Sequence, residues 1–280
     1  MDITAAMVKE LREVTGGGLM ACKKALVECN GDMEDSKELL RKKGQSIANK
    51  KSSRETKEGA IAICIKDKKA ALIKIACETD FVAINDKFKD FIKDIAEQAI
   101  ETGVTNLTEQ TSSKGSIKEQ FVDTISKLGE NIVFLDGQYW EEGDDSVINS
   151  YTHTNNKIAV LVDLKIIGSA DKEKVKDVAR NIAMHIAASN VEAISEDDLD
   201  AAVVEKEKKF LIEQAQESGK PDNIIEKMVE GRLVKYKKEI CLLYQNYVKD
   251  PDKTIEQYIA DSAKEVGAEL SVNRFYKEKF

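Results

Sequence analysis

The feature that most constrains this chain is a change of hydrophobic period near residue 58. Before it, apolar residues recur at helical spacing. Met7, Val8, Leu11 and Val14 make one face, Leu19, Cys22, Ala25, Leu26 and Cys29 a second, and Leu39 and Leu40 mark a third helix reaching Gly44. Thr4 and Asp32 stand where N-caps belong, and Gly16-Gly17-Gly18 and Asn30-Gly31 stand where helices stop. Residues 48–58 are polar and charged without a period, which predicts a linker. After the linker the period becomes two. Ile61, Ile63 and Ile65 alternate, Asp67-Lys68-Lys69 turns the chain, and Ala71 to Cys77 runs back, which predicts a β-hairpin.

The rest of the chain repeats this order. Phe88, Phe91, Ile92, Ile95 and Ala99 predict one amphipathic helix, Ile117, Phe121, Ile125 and Leu128 another, and Ile132 to Tyr139 a returning strand. Val147–Tyr151 and Ile158–Ile166 then predict a second hairpin joined through Asn155-Asn156, followed by a helix carrying Val175, Val178, Ile182 and Ile186. Cys241–Val248 reads as strand, Ile255–Ala263 as helix and Leu270–Tyr276 as strand. The fold class is therefore α+β, with two related sheet-plus-helix halves.

Inserted within the second half, about residues 195–230, lies a segment of different character. Ser195-Glu196-Asp197-Asp198 is a helix start with acids in the first turn. Leu199, Val203, Lys206 and Phe210 form a thin seam near heptad spacing, Ser218-Gly219-Lys220-Pro221 makes a tip, and Ile224, Ile225 and Met228 begin a return. This predicts an exposed helical hairpin. The expected organisation is a three-helix domain with linker at 1–54, a core half at 55–140, and a second core half at 141–280 carrying the hairpin.

Composition narrows function by exclusion. The 280 residues are 42% hydrophobic, enough for real cores, and carry a net charge of −8. No apolar run approaches the ~18 residues that span a bilayer. Met1-Asp2-Ile3-Thr4 shows no basic-then-apolar leader, so the expectation is a cytoplasmic protein without membrane partners. Basic clusters such as Lys206, Lys208 and Lys209 are offset by nearby glutamates, which argues against direct nucleic-acid binding. The 5 cysteines are widely spaced and the 2 histidines too few for a zinc site, so no metal or other cofactor is expected. The triple glycine lacks a following Gly-Lys-Ser/Thr and is no phosphate loop. Cys77 with His153 is the one pairing a thiol enzyme could use, and His185, on an apolar helix face, reads as a hydrogen-bonded core histidine. What remains is a multi-module protein that works by binding.

Cys77-Glu78-Thr79-Asp80-Phe81-Val82-Ala83, where the first hairpin meets the following helix, has two readings. Thr79 or Asp80 could serve as an ordinary N-cap. Alternatively Phe81, beside an acid, could stand out of the fold as a rigid aromatic anchor.

At these residues the chain resembles the elongation factor Ts family, guanine-nucleotide exchange factors for elongation factor Tu. Leu11-Arg12-Glu13-Val14-Thr15-Gly16-Gly17-Gly18-Leu19-Met20 is similar to the family's first signature and Cys77–Ala83 to its second. Gly129-Glu130-Asn131-Ile132, Ile182-Ala183-Met184-His185 and Glu226–Arg232 also match, in order. Among the departures, Ile84 stands where the family has a basic residue. The resemblance implies a ubiquitin-associated-like three-helix domain, a two-part core and a coiled-coil hairpin open to pairing with a second copy. It implies a translation factor without covalent chemistry of its own. This factor would bind elongation factor Tu in GDP-bound and nucleotide-free forms, with Thr79, Asp80, Phe81 and Val82 dislodging the magnesium ion beside the nucleotide. Arg12, Leu19, Met20 and His153 are further partner-binding residues by the same resemblance, although Leu19 and Met20 could equally belong to a three-helix core. The rival readings are a scaffold or chaperone of the same partner without exchange, and a thiol enzyme.

Overall fold

A computed structural model describes residues 2–216 and 221–280. It is a mixed helix and sheet structure, α+β, and its contacts divide it into two units. The first comprises Met1–Glu141 with Thr154–Ile158 and Glu278–Phe280, the second Glu142–His153 and Ala159–Lys277.

The first unit opens with three helices, α1 (Ala5–Thr15), α2 (Leu19–Glu28) and α3 (Met33–Lys51). Thr4 caps α1 by accepting from the Met7 amide, and Asp32 caps α3 by accepting from the Asp35 amide at 2.8 Å. Gly16, at φ 65°, ends α1 in the left-handed conformation that glycine adopts without strain. Val8, Leu11, Cys22, Ala25 and Leu26 are buried between the helices. Val14 is not; it is exposed, because the buried stripe of α1 closes at Leu11 and the next turn ends at the glycines. The third helix also overruns its expected stop at Gly44. There a Cβ would sit 3.6 Å from the Val122 side chain, so the small residue serves helix packing and not termination. Ala48 continues into the main core of the unit, and the expected linker of 48–58 shrinks to the residues after Lys51.

Next come β1 (Glu58–Lys66) and β2 (Lys69–Cys77), joined by Asp67 and Lys68 at φ 51° and 62°. Both central residues at positive φ define the turn whose twist matches a two-residue hairpin. The unit continues through a one-turn helix α4 (Asp80–Ala83), α5 (Asp86–Thr102), a small ribbon of β3 (Thr111–Ser112) and β4 (Gly115–Ser116), α6 (Ile117–Leu128) and β5 (Val133–Glu141). The sheet order is β1-β2-β5, antiparallel throughout. Ala60, Ile73 and Ile75 of the sheet meet Phe88, Ile92 and Ile95 of α5 in a fully or nearly fully buried core. Each such Ile or Phe contributes roughly 1.5–3 kcal/mol by burial.

The second unit has the same connection pattern. Strands β6 (Ser146–Thr152) and β7 (Ile158–Ile167) form an antiparallel hairpin, and α7 (Lys172–Ala188) packs Val175, Ala179, Ile182 and Ile186 into the core. The helical hairpin follows as α8 (Ala201–Gln216) and α9 (Asp222–Ile240), the latter passing the expected end near residue 230. Its seam differs from the heptad reading. Leu211 and Ala215 are buried against Ile225 and Val229, whereas Phe210 is exposed, because the partner helix selects the adjacent stripe. Of the predicted tip, Ser218, Gly219 and Lys220 lie outside the described residues. Ser195 does open a capping box, but over a single 3-10 turn, Glu196–Asp198, before α8 begins.

Cys241–Val248, expected as a strand, is a 3-10 turn at Leu242–Tyr244 and then β8 (Asn246–Tyr247), paired with β9 (Asp250–Thr254). The apolar run was filling a core, since Leu242 and Tyr247 are buried there while the Gln245 amide donates to Asn190 and Glu239 carbonyls. Helix α10 (Ile255–Val266) and β10 (Glu269–Lys279) complete a sheet ordered β10-β7-β6.

His185 is 1% exposed in this core. Its Nδ1 accepts from the Val248 amide at 3.2 Å, so the ring proton lies on Nε2 and is donated to Gln245 Oε1 at 2.9 Å. Burial lowers its pKa below the ordinary 6.5, against the opposing Gln245 hydrogen bond. Above pH ~6.5 the ring is neutral in both folded and unfolded chains, so this group leaves stability independent of pH. Below it the unfolded chain gains the proton first, and stability falls. The unfolding midpoint is expected to drop between pH 7.5 and pH 5.5, and to drop less in His185→Gln. Equal drops in both proteins would show that the histidine contributes nothing.

Candidate functional site

Strand β2 ends at Cys77, and within three residues the chain enters α4. Thr79 is the N-cap: its Oγ1 accepts from the Val82 amide at 3.4 Å, while Asp80 accepts from its own neighbour, the Phe81 amide, at 2.9 Å. The capping and anchor readings of this segment hold together, because they concern different residues. Ala83 is buried and Val82 packs on the core, so the inner side of the turn is fastened. Its outer side carries Phe81, 78% exposed, the most exposed of the large apolar side chains among the described residues. Ile84, three positions on, is 63% exposed and extends the apolar surface.

The entry to this turn is held from a distance. Glu130, in the loop between α6 and β5, accepts from the Glu78 and Thr79 amides at 3.0 Å each and from the Thr79 hydroxyl at 2.6 Å. Glu78 in turn accepts from the Asn131 amide at 2.7 Å and faces the Arg54 guanidinium at 3.4 Å. The Glu130–Asn131 motif was visible in the sequence, but nothing local indicated which groups its carboxylate would bind.

Arg12, Leu19 and Met20 form a second group at the α1–α2 turn. Leu19 and Met20 are 56% and 61% exposed, so the three-helix-core alternative for them is excluded. Arg12 is exposed in the last turn of α1. His153 belongs to the other unit, exposed directly after β6. The predicted residues are thus one contiguous tetrad, a pair of exposed side chains with an arginine on a separate turn, and a histidine in the second unit.

Covalent chemistry at Cys77 meets a physical obstacle. Its thiol is buried, donates to the Thr79 carbonyl at 3.2 Å, and is pushed up to about 12 by burial, with Glu130 adding in the same sense. It carries no useful thiolate at neutral pH. Among the described residues no three His, Cys, Asp or Glu side chains are grouped to hold a metal ion. No described helix is long and apolar enough to cross a membrane.

The sequence matches the family model described as Elongation factor TS over residues 78–277. It is 47% identical over 268 residues to the Elongation factor Ts of Hydrogenovibrio crunogenus, covering 94% of this chain and 88% of that protein. The Elongation factor Ts of Sinorhizobium medicae is 44% identical over 97% of this chain and 91% of its own length. That of Rickettsia felis is 40% identical over 99% and 91%.

Proposed function

The chain belongs to the elongation factor Ts family, a family of translation elongation factors acting in nucleotide exchange, and on that premise we propose that it binds GDP-bound elongation factor Tu and promotes GDP release. The observation that carries this reading is Phe81, an aromatic ring 78% exposed on a turn whose inner side is fastened to a core. A rigid, amphipathic projection of this kind is what an interface hot spot needs.

In this reading Thr79, Asp80, Phe81 and Val82 enter beside the partner's nucleotide pocket, where Phe81 and its neighbours displace the groups that support the magnesium ion. GDP is bound chiefly through its phosphates and that metal, so loss of the metal removes the strongest part of its grip. Arg12, Leu19 and Met20 grip the partner from the three-helix domain, residues 1–54, and His153 contributes from the second core half. The helical hairpin is a coiled-coil arm, and its exposed Phe210, Ile224 and Val234 are the side chains through which a second copy would pair. The chain itself makes and breaks no covalent bond.

Exchange by such a factor is a linkage effect. If the factor weakens GDP binding ~150-fold, GDP weakens factor binding equally, a coupling of ~3 kcal/mol. The factor chooses no nucleotide; the more abundant one refills the empty site. Titration of this chain into nucleotide-free and GDP-loaded elongation factor Tu should give dissociation constants differing by about two orders of magnitude, tighter for the empty form. Equal affinities would defeat the exchange reading and leave a scaffold.

A further inference from the structure

Helix α4 spans four residues, Asp80–Ala83, and closes few hydrogen bonds of its own, such as Ala83 to the Thr79 carbonyl at 3.1 Å and Ile84 to Asp80 at 3.0 Å. So short a helix lies on the unfavourable side of nucleation, and its orientation must be imposed from outside. On the exit side α5 does this through the core. On the entry side the donors of residues 78 and 79 converge on one carboxylate, Glu130, whose Oε2 takes both amides and whose Oε1 takes the Thr79 hydroxyl. Because that hydroxyl donates to Glu130, its lone pairs are turned to the Val82 amide, so Glu130 also sets the cap. The arrangement is reciprocal. Glu78 returns a carboxylate oxygen to the Asn131 amide, and the buried Asn131 is itself fixed through its side-chain amide to the Arg54 carbonyl at 2.9 Å. Charge-assisted bonds of this type are short and directional, and three on one group leave the segment little freedom.

We propose that Glu130 is a positioning residue for exchange: it touches no nucleotide and acts by holding the Thr79–Phe81 turn at the angle from which Phe81 projects. This rests on the exchange reading given above. Glu130→Ala is expected to cut the maximal rate of stimulated GDP release about tenfold or more, with the half-saturating concentration changed less than about threefold. Amide hydrogen exchange at Glu78 and Thr79 should speed by more than about tenfold, while the middle of β2 stays protected.

Glu130→Gln should retain release within about threefold, since its carbonyl oxygen can accept both amides and its NH2 can donate to the Thr79 hydroxyl. Glu130→Asp keeps the charge but withdraws it by a methylene. It should be slow like alanine, and it serves as the test if the alanine variant does not fold. In a Phe81→Ala background, adding Glu130→Ala should slow release by no more than about twofold. Unchanged release in folded Glu130→Ala, a slow glutamine variant beside a fast aspartate one, or losses that multiply in the double variant would each overturn the proposal. If Phe81→Ala alone leaves release unchanged, the assignment of exchange to Phe81 has failed, and if the parent chain does not accelerate release, the exchange reading itself has failed; both outcomes are distinct from these.

Discussion

Phe81→Ala should slow stimulated release of GDP from elongation factor Tu about tenfold or more while leaving folding stability within about 1 kcal/mol of the parent. Truncating a buried Phe costs ~3–5 kcal/mol, chiefly through lost transfer energy and the cavity left behind. At 78% exposure Phe81 has little transfer energy to lose and leaves no cavity. The same ring, driven into a partner, would be worth ~2 kcal/mol or more as a hot-spot aromatic, and ~1.4 kcal/mol already corresponds to a factor of ten in rate. Denaturant unfolding and stimulated release, measured on the same preparation, separate the two effects. Parental release with a badly lowered unfolding midpoint would show Phe81 to be a structural residue. Asp80→Ala is expected to divide in the same way, because the cap belongs to Thr79 and its removal leaves that bond in place.

The second large effect lies in the frame behind the site. Gly59→Ala is expected to destabilise the first unit by ~3 kcal/mol or more, combining backbone strain with overpacking. Gly59 sits at φ 155°, and a Cβ there would fall 2.1 Å from the Ile75 carbonyl oxygen and 2.4 Å from the Phe280 ring. The ring is held in turn by the Lys74 and Lys157 ammonium groups, 5.0 and 4.7 Å from its centroid. A side chain at 59 therefore pushes on the neighbouring strand at the end of β2, where Glu58 pairs with Cys77 just before the turn that carries Phe81. Denaturant unfolding reads the loss. Adding Phe280→Ala should not restore the midpoint, since the strand carbonyl remains in the way. Full restoration would mean that the ring, and not the strand, excludes a side chain.

These cases show what could be read from the chain and what could not. The switch of period, the caps at Thr4 and Asp32, the stop at Gly16 and the tight turn at Asp67-Lys68 are local, and local physics suffices for them. The local pattern misleads where a distant element decides. Gly44 resembles a helix stop until the Val122 side chain of α6 is brought against it. Cys241–Val248 has the apolar content of a strand but supplies a core in turns. Leu19 and Met20 fit a helical period equally well inside or outside, and only packing against α1 and α3 puts them on the surface. At the candidate site Phe81 was legible, because an aromatic beside an acid at a hairpin end is hard to bury with its neighbour. Glu130 was not, because it lies 51 residues from Thr79 in sequence and a carboxylate seeking backbone amides leaves no periodic trace.

The most direct test of the account is release of a fluorescent GDP analogue from elongation factor Tu, followed under excess unlabelled GDP with and without this chain. The account predicts release that accelerates with added chain, saturates, and loses most of its acceleration in Phe81→Ala. A chain that binds the partner while release proceeds at its unassisted rate would contradict it.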